Sequence, residues 1–300
     1  MNLTQKKLEK VRKARGLIER LNVSVIAHFY QRAEVKALAN FVGGSAGIFN
    51  FAERSNASAI LICGVSFLPE AIEALRPDLQ ILSPRNDCHC PLSRQIDNAE
   101  FIRFRIFNSR KFVVADLKAS ALVRALSDLV LTSPQDYDDL MARCSEGSER
   151  DIIVAPALSL GDPNGFEELG WPGAVCQVHA RVTKEDVLEA KKKAPRAKIL
   201  VNSLCQRQVR ELADFVGDSQ SAFDFVKNNP TESYLVIFET GLVESLALSF
   251  PHSRFIELDE EIFCPNMKLN NLKDLLRVLE QFELTQGAQS ERTIFFERTL

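Results

Sequence analysis

Three cysteines in this chain are spaced for metal chemistry: Cys90, Cys176 and Cys264 lie 86 and 88 residues apart. The text around them repeats at the same interval. Residues 35–45 (VKALANFVGGS), 123–133 (VRALSDLVLTS) and 209–219 (VRELADFVGDS) align at offsets of 88 and 86, with Val, Leu, Val and Ser at equivalent places in all three. Residues 37–52 match 211–226 at 8 of 16 positions. A unit of roughly 87 residues therefore occurs three times, and each copy delivers one cysteine at that interval. Three related units packed about a common axis would bring three thiols to one point, and three thiolates make a soft metal site.

Such a convergence needs a scaffold, and the repeat supplies one. Each copy opens on an apolar run that ends in a polar residue: 23–28, 111–116 and 197–202, ending in His28, Asp116 and Asn202. Short runs rich in Val, Ile and Leu read as buried strands. A helical stretch follows in each copy (34–40, 121–127, 208–214), then a very short strand, then Ser45, Ser133 and Ser219 where a second helix should begin. A serine at that place is expected to be the N-cap. Further strands are expected at 59–63, 151–155 and 234–238. The alternation predicts an α/β fold of three pseudo-threefold-related, Rossmann-like sandwich units, with boundaries at 1–105 (including an N-terminal helix), 106–193, and 194–300 (including a tail). In parallel sheets ligands collect beyond the carboxyl ends of the strands, where His28, Asp116 and Asn202 stand. Three helix N-termini aimed at one centre favour an anion. A small anionic substrate is expected, with His28, Ser45, Ser133, Asn202 and Ser219 as binding residues.

Hydrophobic content of 46% and charged content of 26% are ordinary for a globular protein. A net charge of −3 gives no electrostatic reason to expect nucleic acid or an anionic membrane as partner. No apolar run reaches the ~18 residues a membrane span needs. The N-terminus is charged and lacks the apolar stretch of a signal peptide, so a cytoplasmic location is the expectation. In a reducing compartment, seven cysteines point to ligands, catalysis or packing rather than disulfides. Cys63 lies in an apolar run and reads as packing. Cys144 has no repeat partner and no assigned role. Cys205 has Gln31 and Ala119 as counterparts, which argues against a ligand. The stretch Asp87-Cys88-His89-Cys90 leaves the first ligand open, since Cys88 would give intervals of 88 and 88. The metal stays open too. Zinc would take His89 or His179 as a fourth ligand; an iron–sulfur cluster on three cysteines keeps one iron free for substrate oxygens.

An ordered set of motifs resembles the quinolinate synthases, the NadA family, over about residues 15–282. The matching text is Ala27-His28-Phe29-Tyr30-Gln31, Cys63-Gly64-Val65, Trp171-Pro172-Gly173, Cys176-Gln177-Val178-His179, Cys264-Pro265-Asn266-Met267-Lys268, and residues 209–219. The resemblance implies three α/β units around a central 4Fe-4S cluster held by three cysteines, with one open iron. It also selects Cys90 over Cys88, because the family's first ligand follows a proline by six residues, here Pro84. The implied reaction joins iminoaspartate to dihydroxyacetone phosphate, loses phosphate and water, and closes the pyridine ring of quinolinate. An upstream imine-producing enzyme is then an expected partner.

Around the implied cavity the chain departs from the family pattern, although His28 and Tyr30 are kept. The family's Tyr-x-Asn reads Asp116-Leu117-Lys118, its Ser-x-Asn reads Ser133-Pro134-Gln135, and its His-Pro-Glu-Cys reads Asn202-Ser203-Leu204-Cys205, which removes a carboxylate. The family's Asp-Ser pair is Gly44-Ser45, and its Gly-Ser-Thr loop is Gly217-Asp218-Ser219, where an aspartate repels a dianion. The expected catalytic set is Tyr30, Asp116, Lys118 and His179. Asp116 would serve as acid or base, Lys118 would neutralise a carboxylate or form a Schiff base, and His179 would face the cavity beside Cys176. Two other readings stay open: a diverged member acting on a different small acid or imine, and a non-catalytic cluster or iron sensor.

Overall fold

The structure, a computed structural model, describes residues 5–94, 96–131, 152–155, 176–230 and 233–297. The strands are β1 (Val23–His28), β2 (Phe41–Gly43), β3 (Ala59–Cys63), β4 (Gln80–Leu82), β5 (Phe112–Asp116), β6 (Leu129–Leu131), β7 (Ile152–Ala155), β8 (Lys198–Asn202), β9 (Phe215–Gly217), β10 (Ser233–Ile237) and β11 (Arg254–Ile256). They form three sheets among the described residues, ordered β2-β1-β3-β4, β6-β5-β7 and β9-β8-β10-β11. Every pairing is parallel. The protein is an α/β protein built on parallel sheets.

All six residues of β1 and all five of β3 are buried, as strands covered by helices on both faces must be. Alternate side chains go to different cores. Val25, Ala27, Leu61 and Cys63 pack with Leu17 of the helix Gln5–Arg20 and Leu275 of the helix Leu272–Glu297. Ile26, Ile60 and Ile62 point the other way and share one core with Leu200, Tyr234 and Val236 of the third sheet. The first and third sheets are thus joined by apolar burial. Among the described residues no helix is long and apolar enough to cross a membrane.

A recurring polar bracket fixes the register of each sheet. The side chains of Asn40, Asp128 and Asp214 accept from the N–H groups of Val25, Val113 and Ile199 at 2.8, 2.7 and 2.7 Å. Their own N–H groups donate to the carbonyls of the same three residues at 2.7, 2.7 and 2.9 Å. The short strand is thereby pinned beside the central one, and the end residues His28, Asp116 and Asn202 come opposite Gly43, Leu131 and Gly217. Because residues 40, 128 and 214 are claimed by the sheet, the preceding helices are shorter than the sequence suggests: Ala33–Lys36, Ala121–Ala125 and Arg207–Arg210.

Ser45 and Ser219 are not N-caps, and this corrects the expectation for those two. Gly44 and Asp218 are the last residues with extended backbone (ψ 176° and 179°), so Ser45 and Ser219 fall inside the first turn of the helices Ser45–Glu53 and Ser219–Asn228. Asp218 performs the capping, its carboxylate accepting from the Ser221 N–H at 2.8 Å and from the Ser221 hydroxyl at 2.9 Å. Ser133, Cys144 and the motif 171–173 lie outside the described residues. The two helices begin side by side, the Gly44 N–H donating to Gln220 Oε1 at 3.0 Å. A Cβ on Gly44 would stand 2.7 Å from the Gln220 backbone nitrogen, so this approach requires glycine.

The bracket predicts a graded mutational response. Asp214→Ala strands the Ile199 N–H and should cost about 1–3 kcal/mol, read as a lower midpoint in urea denaturation. Asp214→Asn, the residue the first copy uses, should cost clearly less; equal losses would show that the side-chain bond is not what stabilises the strand pair.

Candidate active site at the strand ends

The polar residues that close β1, β5 and β8 do the same local work. His28 Nδ1 accepts from the Tyr30 N–H at 3.1 Å, Asp116 Oδ1 from the Lys118 N–H at 2.7 Å, and Asn202 Oδ1 from the Leu204 N–H at 2.9 Å. Such a side-chain acceptor two residues back holds a tight turn. Two backbone bonds complete it: Phe29, Leu117 and Ser203 donate to Gly43, Leu131 and Gly217, and Gln31, Ala119 and Cys205 donate to His28, Asp116 and Asn202. Each turn presents its middle residue, Tyr30, Lys118 or Leu204, to a common cavity of about 90 Å³. His28, Ser45, Asn202, Ser219, His179, Cys90, Cys176 and Cys264 line the same cavity. A larger cavity of about 340 Å³ adjoins it at the same three cysteines and carries Asp186, Glu189 and residues 259–261 at its rim.

Protonation states follow from these bonds. His28 uses Nδ1 as acceptor, which places its proton on Nε2. Burial, with the nearby cations Lys118, Lys268 and Lys36, depresses its pKa to about 3, so the ring is neutral. The ring of Tyr30 meets His28 edge-on at 4.6 Å. Because the Leu204 N–H holds Asn202 Oδ1, the amide nitrogen of Asn202 is the group that faces Tyr30, donating to its hydroxyl at 3.3 Å. The phenol proton is left for another acceptor. Burial, then the charges of Glu239, Cys176, Asp218 and Cys264, raise the Tyr30 pKa well above its ordinary value. Burial works to lower the pKa of Lys118, yet Asp116, Asp218 and Cys90 outweigh it and the net shift is upward. Its ammonium stands 3.5 Å from Asp116 Oδ1. Asp116 itself is buried behind the turn and does not line the cavity. Arg124 clasps the carbonyls of Leu117 and Ala119 at 3.0 and 2.6 Å, immobilising the residues on either side of Lys118.

Each of the three cavity cysteines opens a single 3₁₀ turn: Leu92–Arg94, His179–Arg181 and Met267–Leu269 follow Cys90, Cys176 and Cys264. Cys88 takes another place. Its carbonyl accepts from Ser66 N–H at 2.7 Å as that of Ile262 accepts from Thr240 N–H at 2.9 Å, so Cys88 pairs in the repeat with Ile262 and Cys90 with Cys264. The Cys88 thiol is buried against Asn270 Oδ1 at 3.7 Å. Cys63 and Cys205 are buried and line neither cavity. Burial first, and then the neighbouring Cys90, Glu239 and Cys176, push the Cys264 thiol up to about 12; burial likewise raises Cys176, on which Cys90 also acts. Thiols that repel one another in a buried site need a cation to be ionised. Among the described residues no group of three His, Cys, Asp or Glu closes on a point that could hold a single metal ion. His179 Nδ1 lies 3.4 Å from Cys176 Sγ, and its buried Nε2 has no hydrogen-bond partner among the described residues. Burial lowers its pKa to about 4.

Sequence reasoning missed the buried pair Glu239–Lys268 behind Cys264 (3.0 Å) and the fully buried Asn270. The available signal was an acidic residue directly after an apolar run, at the end of β10.

Parallel α/β sheets that offer a phenol, an ammonium and three thiols to one buried cavity define a small-molecule enzyme of the α/β class. The chain belongs to the NadA family: the model of that family, described as quinolinate synthetase A protein, matches residues 10–293. The quinolinate synthase of Prochlorococcus marinus (strain MIT 9303) is 31% identical over 300 residues, 95% of this chain and 88% of that one. That of Methanosarcina barkeri (strain Fusaro / DSM 804) is 31% identical over 278 residues, 89% of this chain and 90% of its own. That of Caldicellulosiruptor saccharolyticus is 30% identical over 279 residues, with 91% and 90% covered.

The depressed His28 pKa has a signed consequence. Between its ordinary value of 6.5 and about 3 the unfolded chain binds the proton and the folded chain does not, so stability falls as pH drops through that window. Relative to wild type, His28→Asn should remove about 2–3 kcal/mol of the decline between pH 6.5 and about 4.5. Asn202 shows that asparagine can hold the turn. Denaturation midpoints of the two proteins that fall in parallel with pH would refute the assignment.

Proposed function

We propose that the chain is a quinolinate synthase-type enzyme of NAD biosynthesis whose three repeat units, 1–105, 106–193 and 194–300, meet around a 4Fe-4S cluster held by Cys90, Cys176 and Cys264. Its reaction, on this reading, is the family's: iminoaspartate and dihydroxyacetone phosphate combine, phosphate and water leave, and the pyridine ring closes. The observation that carries the proposal is the single cavity lined by one cysteine from each copy and by the turn residues Tyr30 and Lys118. The donor set fits the group. Three soft thiol donors, Cys90, Cys176 and Cys264, line one cavity and would be the residues that hold such a cluster. When bound, the cluster supplies a Lewis-acidic iron that polarises substrate hydroxyl or carbonyl oxygens.

The chain's own residues supply the rest. Lys118, kept protonated by Asp116, is a fixed cation for a substrate carboxylate or phosphate, and a protonated amine is not a Schiff-base nucleophile. Ser45 and Ser219 lie in first helical turns, where free N–H groups favour an anion. The Asp218 carboxylate is occupied as a cap, which lessens its repulsion of that anion. Tyr30 is arranged as a proton donor, because Asn202 occupies its acceptor side. His28 offers Nε2–H. A Cys176 thiolate can only accept, so His179 Nδ1 donates to it and the lone pair on Nε2 is free to take a proton. Ser133 is retained as a binding residue of the proposal, and an upstream enzyme that makes the imine is the implied partner.

Leu204 favours a second reading. At the position equivalent to Tyr30 and Lys118 it offers the cavity no acid, base or charge, and that suits a related small acid or imine as the true substrate. A partly enclosed cavity that presents Tyr30, Lys118, His28 and His179 together speaks against a bare sensor.

Anaerobically loaded protein should contain about four iron and four sulfide per chain. Changing Cys90, Cys176 or Cys264 to Ser should abolish that content while Cys88→Ser leaves it intact; dependence on Cys88 instead would overturn the ligand set. Loaded protein should form the pyridine product from the aspartate-derived imine and dihydroxyacetone phosphate. In that assay Tyr30→Phe should lower kcat by about 10²–10⁴-fold, and Lys118→Met should raise KM by about tenfold or more. A fully loaded chain that makes no pyridine would transfer the proposal to the second reading.

A further inference from the structure

Among the described residues the least exposed ion pair is Glu239–Lys268, whose side chains are 0% and 8% accessible. Neither residue lines the two cavities at the cysteines. Glu239 makes three contacts. Oε1 stands 3.0 Å from Lys268 Nζ and accepts from the Cys264 N–H at 3.4 Å, and Oε2 accepts from the Gly241 N–H at 2.7 Å. Lys268 is held as well: its N–H donates to the Cys264 carbonyl at 3.3 Å, its carbonyl accepts from Arg32 Nε at 2.7 Å, and its ammonium faces the ring of Phe263 at 5.8 Å. Gly241 presses on the turn that bears Tyr30, since a Cβ there would lie 2.5 Å from the Phe29 carbonyl and 2.8 Å from Tyr30 Cα. One carboxylate therefore ties the turn of the third cysteine to the helix start that supports the phenol.

Stability alone does not explain this pair. Burying two charges costs desolvation that their attraction seldom more than offsets, and apolar replacements of such pairs are often neutral or stabilising. The first copy makes the point internally. The residue before the Ser66 N–H→Cys88 carbonyl bond is Val65, and the residue before the equivalent Thr240 N–H→Ile262 carbonyl bond is Glu239. The same turn forms in the first copy around a buried valine. The carboxylate belongs to the copy whose cysteine turn is bonded to the residue next to Tyr30, the Met267 carbonyl accepting from Gln31 Nε2 at 2.7 Å.

We propose that Glu239, held in place by Lys268, is a positioning residue that sets Cys264 and Tyr30 relative to each other, so that the third thiol and the proton donor are registered on one site. This rests on the cluster reading of the three cysteines. Neither residue lines the cavity that Tyr30 and Cys264 share, so the effect must act through Cys264 and Tyr30.

The test uses the full chain, loaded anaerobically with iron and sulfide. Three readouts are compared: the rate of iron loss to an added chelator, the electron paramagnetic resonance spectrum of the reduced cluster, and thermal unfolding of the metal-free chain. The double variant Glu239→Val with Lys268→Met imitates the first copy. It should unfold at or above the wild-type temperature yet release iron about tenfold faster or more, with an altered spectrum. Wild-type release and spectrum in that variant would overturn the proposal. Should the double variant not fold, Glu239→Gln carries the same test: faster release with unchanged unfolding supports the role, unchanged release refutes it. A wild-type chain that takes up no iron would sink the cluster reading and this inference together, and the wild-type control separates that outcome from a failure of Glu239 alone.

Discussion

A hydrogen bond from a backbone N–H to the side chain two residues earlier, made once at the end of each central strand, governs the site. His28, Asp116 and Asn202 differ in charge and shape, yet each supplies one acceptor at the same point of the turn. The acceptor decides which way the next residues face, and therefore that Tyr30, Lys118 and Leu204 enter one cavity. It also decides chemistry. Using Nδ1 of His28 fixes the tautomer, using Oδ1 of Asn202 fixes the amide, and the amide in turn fixes which side of the Tyr30 oxygen is taken.

Burial then sets the charge states. The cavity is deep enough that desolvation is the leading cause of the shifts at His28, Tyr30, His179, Cys176 and Cys264. Neutral imidazoles and a neutral phenol result, while Lys118 stays charged because Asp116 lies beside it. A site of this kind discriminates by fixed charge and by oriented neutral donors, which cost little reorganisation when charge moves. Burial and the neighbouring thiols hold Cys176 and Cys264 protonated in this site.

Much of the scaffold was legible in residue order. The runs at 23–28 and 59–63 coincide with β1 and β3, because strands buried on both faces admit little but aliphatic residues. The short strands after the first helices also fall where the repeat puts them. The helix starts were displaced by one residue, since Ser, Asp and Gly are all acceptable caps and only backbone angles show where the extended chain ends. Asn40, Asp128 and Asp214 stood in the aligned blocks, but their strand-to-strand bonds join residues 15 apart and leave no trace in local pattern.

By itself the sequence determined that a segment recurs three times at intervals of 86 and 88 residues, that Cys90, Cys176 and Cys264 keep that interval, and that the strand ends carry polar residues. Those are properties of composition and period, and period survives in one dimension. The family resemblance chose Cys90 over Cys88 by a count from Pro84. Only the tertiary structure decided where each of the two thiols lies, that Asp116 stands behind Lys118 instead of lining the cavity, and that Glu239 meets Lys268 under Cys264. By the repeat interval alone the two neighbouring thiols read alike. In the fold they part, one packed against Asn270 and the other lining the cavity with Cys176 and Cys264, because direction in space comes from the fold and not from order along the chain.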